Sequence, residues 1–303
     1  MSHIHPDPTI QTDPSAKRRR LRERLQAPGL IVAPGIFDMI SAKFADRMGF
    51  DTLYMTGYGT VASYLGLPDA GLASYTDMVN RVTAFAGGTN TPLIADGDTG
   101  YGGLLNVAHT VRGYEAAGAT GIQLEDQEFP KKCGHTPGRR VIPIEDMVRK
   151  IRVAAEARTD PDFLIVARTD ARTTHGLDEA LRRAQAYSDA GADILFVESP
   201  ETRDEMAKIA STFAKPTLIN VVEGGRTPVL DKETLTQMGF KMAIYPTAAF
   251  LAVGQTLQNI YQTLKESGDT TQIPDQLYPF EDFSRLMGFE AVWDFDRRHA
   301  DES

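Results

Sequence analysis

Two carboxylate side chains separated by one residue stand where an apolar segment of the chain ends. Asp96 and Asp98 follow the apolar residues 92–95, and Glu125 follows the next apolar segment, residues 121–124. Carboxylate oxygens are the protein ligands that Mg2+ prefers, usually one or two directly and others through water. The chain has no clustered histidines and cysteines of the kind that bind zinc. On neighbouring strand ends these residues predict a magnesium site, whereas either pair alone would be more typical of a turn or of ion pairs at a sheet rim.

A second reactive feature is a lone cysteine in a basic segment that contains glycine. The only cysteine of the chain is the third residue of Lys131-Lys132-Cys133-Gly134-His135. Cationic neighbours favour the thiolate over the thiol, and a thiol that exchanges its proton readily is a good acid or base. Glycine and proline on both sides would let this segment act as a lid that closes over bound substrate. The alternative is a buried structural cysteine, which the polar surroundings of Cys133 disfavour.

These residues require a scaffold that brings the ends of several strands together. Six short apolar runs each end in a polar or charged residue, and helix-like stretches separate them. Continuous apolar runs are typical of strands buried on both faces, as in parallel sheets. The alternation predicts a single (β/α)8 barrel of the TIM type, with its active site at the C-terminal ends of the strands. The predicted strands are residues 30–34, 52–56, 92–96, 121–125, 163–168, 193–198, 216–220 and 241–245.

The composition excludes several other classes of protein. The chain has 303 residues, a net charge of −9, 42% hydrophobic and 24% charged residues, and one cysteine. The negative charge argues against a nucleic-acid partner, and no apolar run approaches the ~20 residues that span a membrane. One cysteine leaves no internal disulfide and fits a reducing compartment, so we expect a cytoplasmic protein. The basic run at residues 17–20 is expected to be the solvated face of a first helix.

Three regions are predicted along the chain. Residues 1–16 are rich in proline, aspartate and threonine and are expected to form a disordered or loosely docked arm. Residues 17–250 are expected to contain the catalytic barrel. Residues 251–303 are predicted to form extra helices, interrupted by Pro274 and Pro279, which pack on the barrel rim or on a neighbouring subunit and take part in oligomerisation.

Several motifs together resemble the isocitrate lyase/phosphoenolpyruvate mutase superfamily over about residues 25–290. They are Gly66-Leu67-Pro68-Asp69, Asp96-Gly97-Asp98-Thr99-Gly100, Glu125-Asp126-Gln127, the cysteine segment at 131–135, and Ala167-Arg168-Thr169-Asp170-Ala171. The resemblance to the lyase branch implies a barrel whose C-terminal helix is swapped between subunits, in a homotetramer made of two dimers. It also implies Mg2+-dependent retro-aldol (retro-Claisen-type) cleavage of a 2-hydroxy acid that carries a further carboxylate.

The same resemblance assigns roles to individual residues. Asp96 corresponds to the direct ligand of Mg2+, for which Mn2+ is an alternative, and the groups that hold the metal through water are Asp69, Asp98 and Glu125. The substrate-binding residues are Thr56, Gly57, Tyr58, Gly134 and Asn220. The catalytic residues are Tyr54 beside the substrate hydroxyl, Arg168 and Glu198 in the pocket, and Cys133 as the acid, with Lys131 and His135 as its partners.

Two further segments indicate a branch within the superfamily. Cys133 argues against the mutase and decarboxylase branches, and residues 129–132 and 223–228 resemble the branch that cleaves 2-alkylmalates. We therefore expect a small dicarboxylate as the substrate and pyruvate or a related 2-keto acid as a product. The alternatives are cleavage of 2-methylisocitrate to pyruvate and succinate, hydrolysis of oxaloacetate, and a reaction like that of carboxyphosphonoenolpyruvate phosphonomutase. A non-catalytic barrel that binds dicarboxylates is the least favoured interpretation.

Overall fold

The barrel is built from short strands that are buried along nearly their whole length. The computed structural model describes residues 13–134, 136 and 138–300. In this part of the chain, eight parallel strands close into a barrel in sequence order, with the last strand paired to the first. The strands are β1 (Ile31–Ile36), β2 (Leu53–Met55), β3 (Leu93–Asp96), β4 (Gly121–Glu125), β5 (Leu164–Thr169), β6 (Ile194–Val197), β7 (Thr217–Asn220) and β8 (Met242–Tyr245). All eight predicted strands are confirmed, with boundaries that differ by at most two residues.

Helices connect the strands and cover the outside of the barrel. Several begin with a side-chain cap; Ser74, for example, accepts a hydrogen bond from the Asp77 N–H, and Asp77 accepts one from the Ser74 N–H. The helices of the described chain are α1 (Pro14–Gln26), α2 (Met39–Arg47), α3 (Gly57–Leu65), α4 (Tyr75–Gly88), α5 (Leu104–Ala116), α6 (Ile144–Ala157), α7 (Ala171–His175), α8 (Leu177–Asp189), α9 (Arg203–Thr212), α10 (Lys232–Met238), α11 (Ala248–Ser267), α12 (Phe280–Leu286) and α13 (Phe289–His299).

Parallel pairing brings the C-terminal ends of the strands to one rim. The register of β4 and β5 sets Glu125 opposite Arg168, and the register of β3 and β4 sets Asp96 opposite Gln123. Because the strands are buried on both faces, their polar residues are concentrated at this rim, where an active site needs them. The predicted convergence of the strand ends is confirmed.

Helix α1 covers the opposite, N-terminal end of the barrel. Its Leu21 and Leu25 are buried in one cluster with barrel residues such as Ile31, Leu164 and Met242. Through this apolar contact, α1 packs across the N-terminal ends of the strands. The residues of the active-site rim lie at the other ends of the same strands.

The prediction that the basic run at residues 17–20 is solvated is wrong for its first half. Lys17 and Arg18 are buried; the Lys17 ammonium donates to the carbonyl oxygens of Ala86 and Thr89, and the Arg18 guanidinium donates to that of Ala119. These carbonyls come from loops and helix ends around the base of the barrel. The two cations therefore anchor α1 instead of facing water.

The ends of the chain differ from the expected domain pattern at one point. Asp13 caps α1, whose first residue is Pro14, so residues 14–16 are helical and do not belong to an arm. The remainder of the predicted arm, residues 1–12, lies outside the described residues. The predicted C-terminal extension contains most of α11, together with α12 and α13. No helix of the described chain is long and apolar enough to cross a membrane.

Candidate active site

A pocket opens at the C-terminal rim, and most of the predicted site residues line it. Those that line it are Tyr54, Thr56, Gly57, Tyr58, Asp69, Asp96, Cys133, Gly134, Arg168, Glu198 and Asn220. Three other predicted residues, Lys131, Asp98 and Glu125, are buried next to these groups. His135 lies outside the described residues. The remaining wall includes the apolar residues Phe196, Val222 and Ile244.

The carboxylates predicted to hold a metal surround an ammonium group. Lys131 Nζ lies 2.5 Å from Asp69 Oδ1 and 2.6 Å from Asp98 Oδ1. Burial lowers the pKa of Lys131, but the surrounding carboxylates outweigh this effect and raise the pKa well above its ordinary value. In the chain as described, no three His, Cys, Asp or Glu side chains already surround a common point. Lys131 thus contacts two of the predicted metal-holding residues, whereas the sequence indicated it as a partner of Cys133.

The same cluster retains features that suit a divalent cation. Among the described residues, Glu125 Oε1 is buried and receives no hydrogen bond, and the other Glu125 oxygen has an ion pair with Arg168 at 3.1 Å. Burial raises the pKa of Glu125 well above its ordinary value, and burial together with the neighbouring acids raises the pKa of Asp98 to about 7. Buried oxygens that lack donors are natural ligands for a hard cation, directly or through water. The residues present therefore fit Mg2+ or Mn2+.

Arg168 is held by carboxylates on three sides. Its Nε and Nη2 donate to the two oxygens of Asp170 at 2.8 and 2.9 Å, and its guanidinium also faces Glu125 and Glu198. Burial lowers the pKa of Arg168, but these carboxylates raise it well above its ordinary value, so the group stays charged. Asn220 Nδ2 donates to Glu198 at 3.1 Å, which fixes this acid in turn. A paired, fixed guanidinium can hold a carboxylate of a ligand in one orientation.

Asp170 and Asp126 are buried residues to which the sequence analysis assigned no catalytic role. Asp170 also binds Arg139, at 2.5 Å, so it joins Arg168 to the chain that follows the cysteine segment. Asp126 accepts hydrogen bonds from Thr169 Oγ1 and the Asp170 N–H and forms an ion pair with Arg183. Asp126 is therefore an ion-pair residue of the rim, while its neighbour Glu125 faces Arg168. The motif Arg168-Thr169-Asp170 is the sequence feature from which Asp170 could have been identified.

Gly57, the first residue of α3, lies so close to Asp96 that a side chain would not fit there. A Cβ atom on Gly57 would lie 2.5 Å from Asp96 Oδ2. Thr56 is the N-cap of α3, and its hydroxyl accepts from the Gly59 N–H. The other N–H groups of this first turn have no partner within the helix, and a helix N-terminus of this kind can bind an anion. The start of α3 thus suits a substrate carboxylate beside Asp96.

Tyr54 reaches the carboxylate cluster through Gln123. The Tyr54 hydroxyl donates to Gln123 Oε1 at 2.7 Å, and Gln123 Nε2 donates to Asp96 Oδ1 at 3.4 Å. Burial and nearby carboxylates raise the pKa of Tyr54 well above its ordinary value, so the hydroxyl remains protonated. Because its hydrogen is directed to Gln123, the Tyr54 oxygen can accept a hydrogen bond from a ligand. Gln123 was not predicted as a site residue. Its position two residues before Glu125 places both side chains on the same face of β4.

The described part of the cysteine segment, residues 131–134, lies against the charged groups of the pocket. The Cys133 side chain lines the pocket and is partly exposed. A Cβ atom on Gly134 would collide with the Arg168 guanidinium and lie 2.7 Å from Glu198 Oε2. The Gly134 carbonyl accepts from Ser199 Oγ at 3.0 Å, a contact that the sequence did not suggest. Cys133 and Arg168 therefore border the same small space.

Pockets at the C-terminal rim of (β/α)8 barrels are where enzymes of this fold carry out their chemistry. Here the fixed guanidinium, the helix N-terminus and the acid cluster are groups that can bind a small carboxylic acid at such a rim. The phosphoenolpyruvate phosphomutase family model matches residues 21–265. The chain therefore belongs to this family, within the phosphoenolpyruvate mutase/isocitrate lyase superfamily.

Comparison with individual relatives indicates that this member of the superfamily is a lyase. The chain is 48% identical to 2,3-dimethylmalate lyase of Eubacterium barkeri, over 93% of this chain and 97% of the relative. It is 39% identical to 2-methylisocitrate lyase of Aeropyrum pernix, over 93% of this chain and 90% of the relative. A solved oxaloacetate acetylhydrolase in complex with 3,3-difluorooxalacetate superposes with a TM-score of 0.89 at 35% identity, covering 94% of this chain and 97% of the other. The predicted class, a carbon–carbon lyase of this superfamily, is confirmed.

Metal dependence finds support in one solved neighbour. Phosphonopyruvate hydrolase, solved as a complex with oxalate and Mg++, has a TM-score of 0.85 and 30% identity, covering 93% of this chain and 99% of the other. A relative with the same barrel therefore binds both a divalent cation and a small dicarboxylate.

Proposed function

We propose that this protein cleaves the C2–C3 bond of a 2-alkylmalate such as 2,3-dimethylmalate, with Mg2+ or Mn2+, to give a 2-keto acid such as pyruvate and a carboxylic acid. One observation carries the proposal: Cys133, with its thiol, and Arg168, with its guanidinium, line the same pocket. The first can protonate a carbon and the second can bind an acid group. The similarity to 2,3-dimethylmalate lyase supports this choice of substrate.

In this proposal, the keto-acid half of the substrate binds at the base of the pocket. Its carboxylate receives hydrogen bonds from the N–H groups at the start of α3, beside Gly57, and the Arg168 guanidinium binds oxygen at C1 and C2. Both donors are held in place before substrate arrives, because Asp170 fixes Arg168 and the helix fixes the N–H groups. Donors that are already oriented favour charge development at the C2 oxygen.

The metal would be held by Asp96 directly, and by Asp69, Asp98 and Glu125 through water. When bound, Mg2+ would act as a Lewis acid that polarises the C2 oxygen of the forming keto acid. Lys131 would have to leave its contact with at least one of these acids or share it with the metal's water shell. The Glu125 oxygen that lacks a hydrogen-bond donor supports the assignment.

The proposed chemistry moves one proton from oxygen to carbon. The 2-hydroxyl, which donates to the Tyr54 oxygen in the bound state, passes its proton to one of two carboxylates, Asp98 or Glu125, as the C2–C3 bond breaks. That carboxyl group then releases the proton to the solvent. The bonding electron pair stays on C3 and is delocalised into the attached carboxylate. The Cys133 thiol then donates its proton to C3, which yields the carboxylic acid, and the thiolate is reprotonated from the solvent.

The apolar part of the wall favours a substrate with small alkyl groups. Phe196, Val222 and Ile244 offer no charge to a third carboxylate, as 2-methylisocitrate would carry. Among the described residues, the cations Arg168 and Lys131 at the site are already paired with acids. Because one methyl group changes discrimination by only ~1–3 kcal/mol, neighbouring alkylmalates should also react. 2-Methylisocitrate cleavage and oxaloacetate hydrolysis are the competing activities, since both kinds of relative share the fold.

The proposal extends to the assembly and its location. We propose a homotetramer of helix-swapped dimers, acting on a small-molecule dicarboxylate in the cytoplasm without nucleic-acid or membrane partners. The single cysteine supports a reducing compartment. Large apolar side chains exposed along the C-terminal helices support subunit contact there; they include Leu257, Tyr261, Phe280, Trp293 and Phe295.

The decisive experiment is a substrate panel. The purified protein is incubated with 2,3-dimethylmalate, 2-methylmalate, 2-methylisocitrate and oxaloacetate in Mg2+, with pyruvate detected by lactate dehydrogenase and oxalate measured separately. We expect kcat/KM to be highest for 2,3-dimethylmalate and activity to vanish in EDTA. The Cys133→Ser protein serves as the matched negative control. Preferred cleavage of 2-methylisocitrate, or release of oxalate from oxaloacetate as the main activity, would overturn the substrate assignment.

A further inference from the structure

Ser199, the residue after Glu198, combines complete burial with an unusual backbone. Its exposed fraction is 0%, and its φ is +58°, in the left-handed region that residues other than glycine seldom adopt. Such conformations cost free energy and persist where the surroundings demand them, often at functional sites. The proposed mechanism gives Ser199 no role so far.

The hydrogen bonds of Ser199 join the pocket floor to the cysteine segment. Its backbone N–H donates to Glu198 Oε1 at 2.7 Å. Its hydroxyl lies 3.0 Å from the Gly134 carbonyl oxygen and 3.2 Å from Glu198 Oε1. A hydroxyl has one hydrogen, so it donates to one of these two oxygens at a time. The Gly134 carbonyl oxygen is the nearer of the two acceptors, and we assign the hydroxyl hydrogen to it.

The Gly134 carbonyl is well placed to control the thiol. Consecutive Cα atoms are about 3.8 Å apart, so fixing Gly134 restricts the position of Cys133. Gly134 also packs on Arg168 and Glu198 without room for a Cβ atom. The left-handed φ of Ser199 turns its hydroxyl toward this carbonyl while its N–H stays on Glu198.

We infer that Ser199 is a positioning residue, whose hydroxyl holds the cysteine segment over the pocket so that the Cys133 thiol faces C3 of the substrate. The inference rests on the proposed function, in which Cys133 is the proton donor. Ser199 itself does not bind the keto-acid half, which Arg168 and the start of α3 hold. Losing the hydroxyl should therefore impair proton transfer more than ground-state binding.

The test compares two substitutions that remove the same hydroxyl. Ser199→Ala keeps a Cβ atom in the left-handed conformation, whereas Ser199→Gly also relieves the backbone strain. Misplacement of a reacting group by about 1 Å can cost about 10²-fold in rate, so we expect both variants to lose about 10- to 100-fold in kcat. KM should change less than about threefold in both, because ground-state binding does not use the hydroxyl. Ser211→Ala, which removes a hydroxyl from the exposed side of α9, is the control and should match the parent.

A second readout does not depend on turnover. Because the chain has one cysteine, alkylation by iodoacetamide followed by intact mass reports on Cys133 alone. Oxalate with Mg2+ should slow alkylation of the parent protein. In both Ser199 variants this protection should be largely lost, while oxalate binding measured by calorimetry is unchanged. Protection can be measured even if the parent cleaves no substrate in the panel, so failure of the proposed reaction is distinguishable from failure of this inference.

Two results would overturn the role of the hydroxyl. Parental kcat and parental protection in Ser199→Gly, with loss only in Ser199→Ala, would mean that the backbone conformation matters and the hydroxyl does not. Parental behaviour in both variants would mean that the Gly134 contact has no effect on the thiol. Should Ser199→Ala fail to fold by circular dichroism, the protection measured in Ser199→Gly decides whether the hydroxyl positions the thiol.

Discussion

Single atoms decide how closely the pocket residues can approach one another. Gly57 leaves no space for a Cβ atom beside Asp96, although alanine would favour the helix that begins there. We expect Gly57→Ala to lower kcat/KM by about 10- to 100-fold while the thermal midpoint stays the same or rises. Gly87→Ala on α4, where a Cβ atom would meet nothing within 4 Å, is the matched control and should keep full activity. Equal activity of both variants would contradict the close-approach argument.

Replacement of the thiol should separate chemistry from binding. Cys133→Ser keeps the size of the side chain but has a much weaker acid, so we expect kcat to fall by ~10²–10⁴-fold. Oxalate affinity in the presence of Mg2+, measured by calorimetry, should be preserved, because Arg168 and Asp96 are untouched. A structural cysteine would give near-parental kcat and a shift mainly in the midpoint of unfolding.

The acid cluster should lose its metal when its central carboxylate is neutralised. Asp96→Asn removes the negative charge but retains the size of the side chain. We expect Mg2+ binding by calorimetry to become undetectable, and activity not to return at raised Mg2+. Asp178→Asn, on the exposed surface, serves as the control for removal of one charge. Parental Mg2+ affinity in Asp96→Asn would refute the assignment of this ligand.

Several site residues could be identified from the sequence because they follow an apolar run, and others, such as Asp69 and Tyr58, only from the resemblance to a family. Asp96, Glu125 and Arg168 could be predicted in the first of these ways, since strand ends converge in any parallel barrel. The position of Gln123 on β4 places it on the same face as Glu125, but its role, like that of Ser199, could not be identified from the sequence position alone. Their roles depend on which side chains the register and the cysteine segment bring opposite them.

Among the elements, the strands were predictable and the anchoring of helix α1 was not. Continuous apolar runs reflect two-sided burial, which is a local property of the sequence. The burial of Lys17 and Arg18 depends instead on carbonyls from distant parts of the chain, such as those of Ala86 and Ala119. A run of basic residues does not show which distant carbonyls it will contact. The prediction of a solvated face was therefore wrong for Lys17 and Arg18.

Removal of the Lys17 ammonium tests how strongly α1 is anchored. Lys17→Met would leave the carbonyls of Ala86 and Thr89 without their donor, at a cost of about 1–3 kcal/mol in the free energy of unfolding. kcat should be unchanged, because the active site lies at the opposite end of the barrel. Arg19→Met, at an exposed position of the same helix, is the control and should cost less than about 0.5 kcal/mol. An equal loss of stability in the two variants would contradict the anchoring role of Lys17.

The contribution of Lys17 should also depend on pH. Burial lowers its pKa from 10.5 to about 8 in the folded protein. Between these two pKa values, the unfolded chain binds more protons than the folded one. The contribution of Lys17 to the free energy of unfolding therefore rises with pH, and this increase is lost as the pH falls toward 8. Denaturant unfolding at about pH 7 and about pH 9.5 should show a larger difference between parent and Lys17→Met at the higher pH. A difference independent of pH would contradict the assigned shift.

At the scale of the whole molecule, the C-terminal helices expose several large apolar side chains, which is typical of a surface that contacts another subunit. Leu257 and Tyr261 are one turn apart on α11 and are 43% and 63% exposed. We expect light scattering to give the mass of four 33.2 kDa chains, and the double variant Leu257→Asp, Tyr261→Asp to give a smaller assembly. Gln255→Glu on the same helix should remain tetrameric. A monomeric parent protein would refute the proposed assembly.

In the part of the chain that the structure describes, α1 covers the N-terminal end of the barrel, and the active-site pocket lies at the C-terminal rim, beside the cysteine segment. Leu21 and Leu25 close the other end. In the proposed reaction the keto acid lies deeper, against Arg168, while the carboxylic acid lies under Cys133. The acid must then depart first and the keto acid second. Steady-state product inhibition should accordingly be competitive for pyruvate and noncompetitive for the carboxylic acid, so the depth at which each product lies imposes an order on the kinetics.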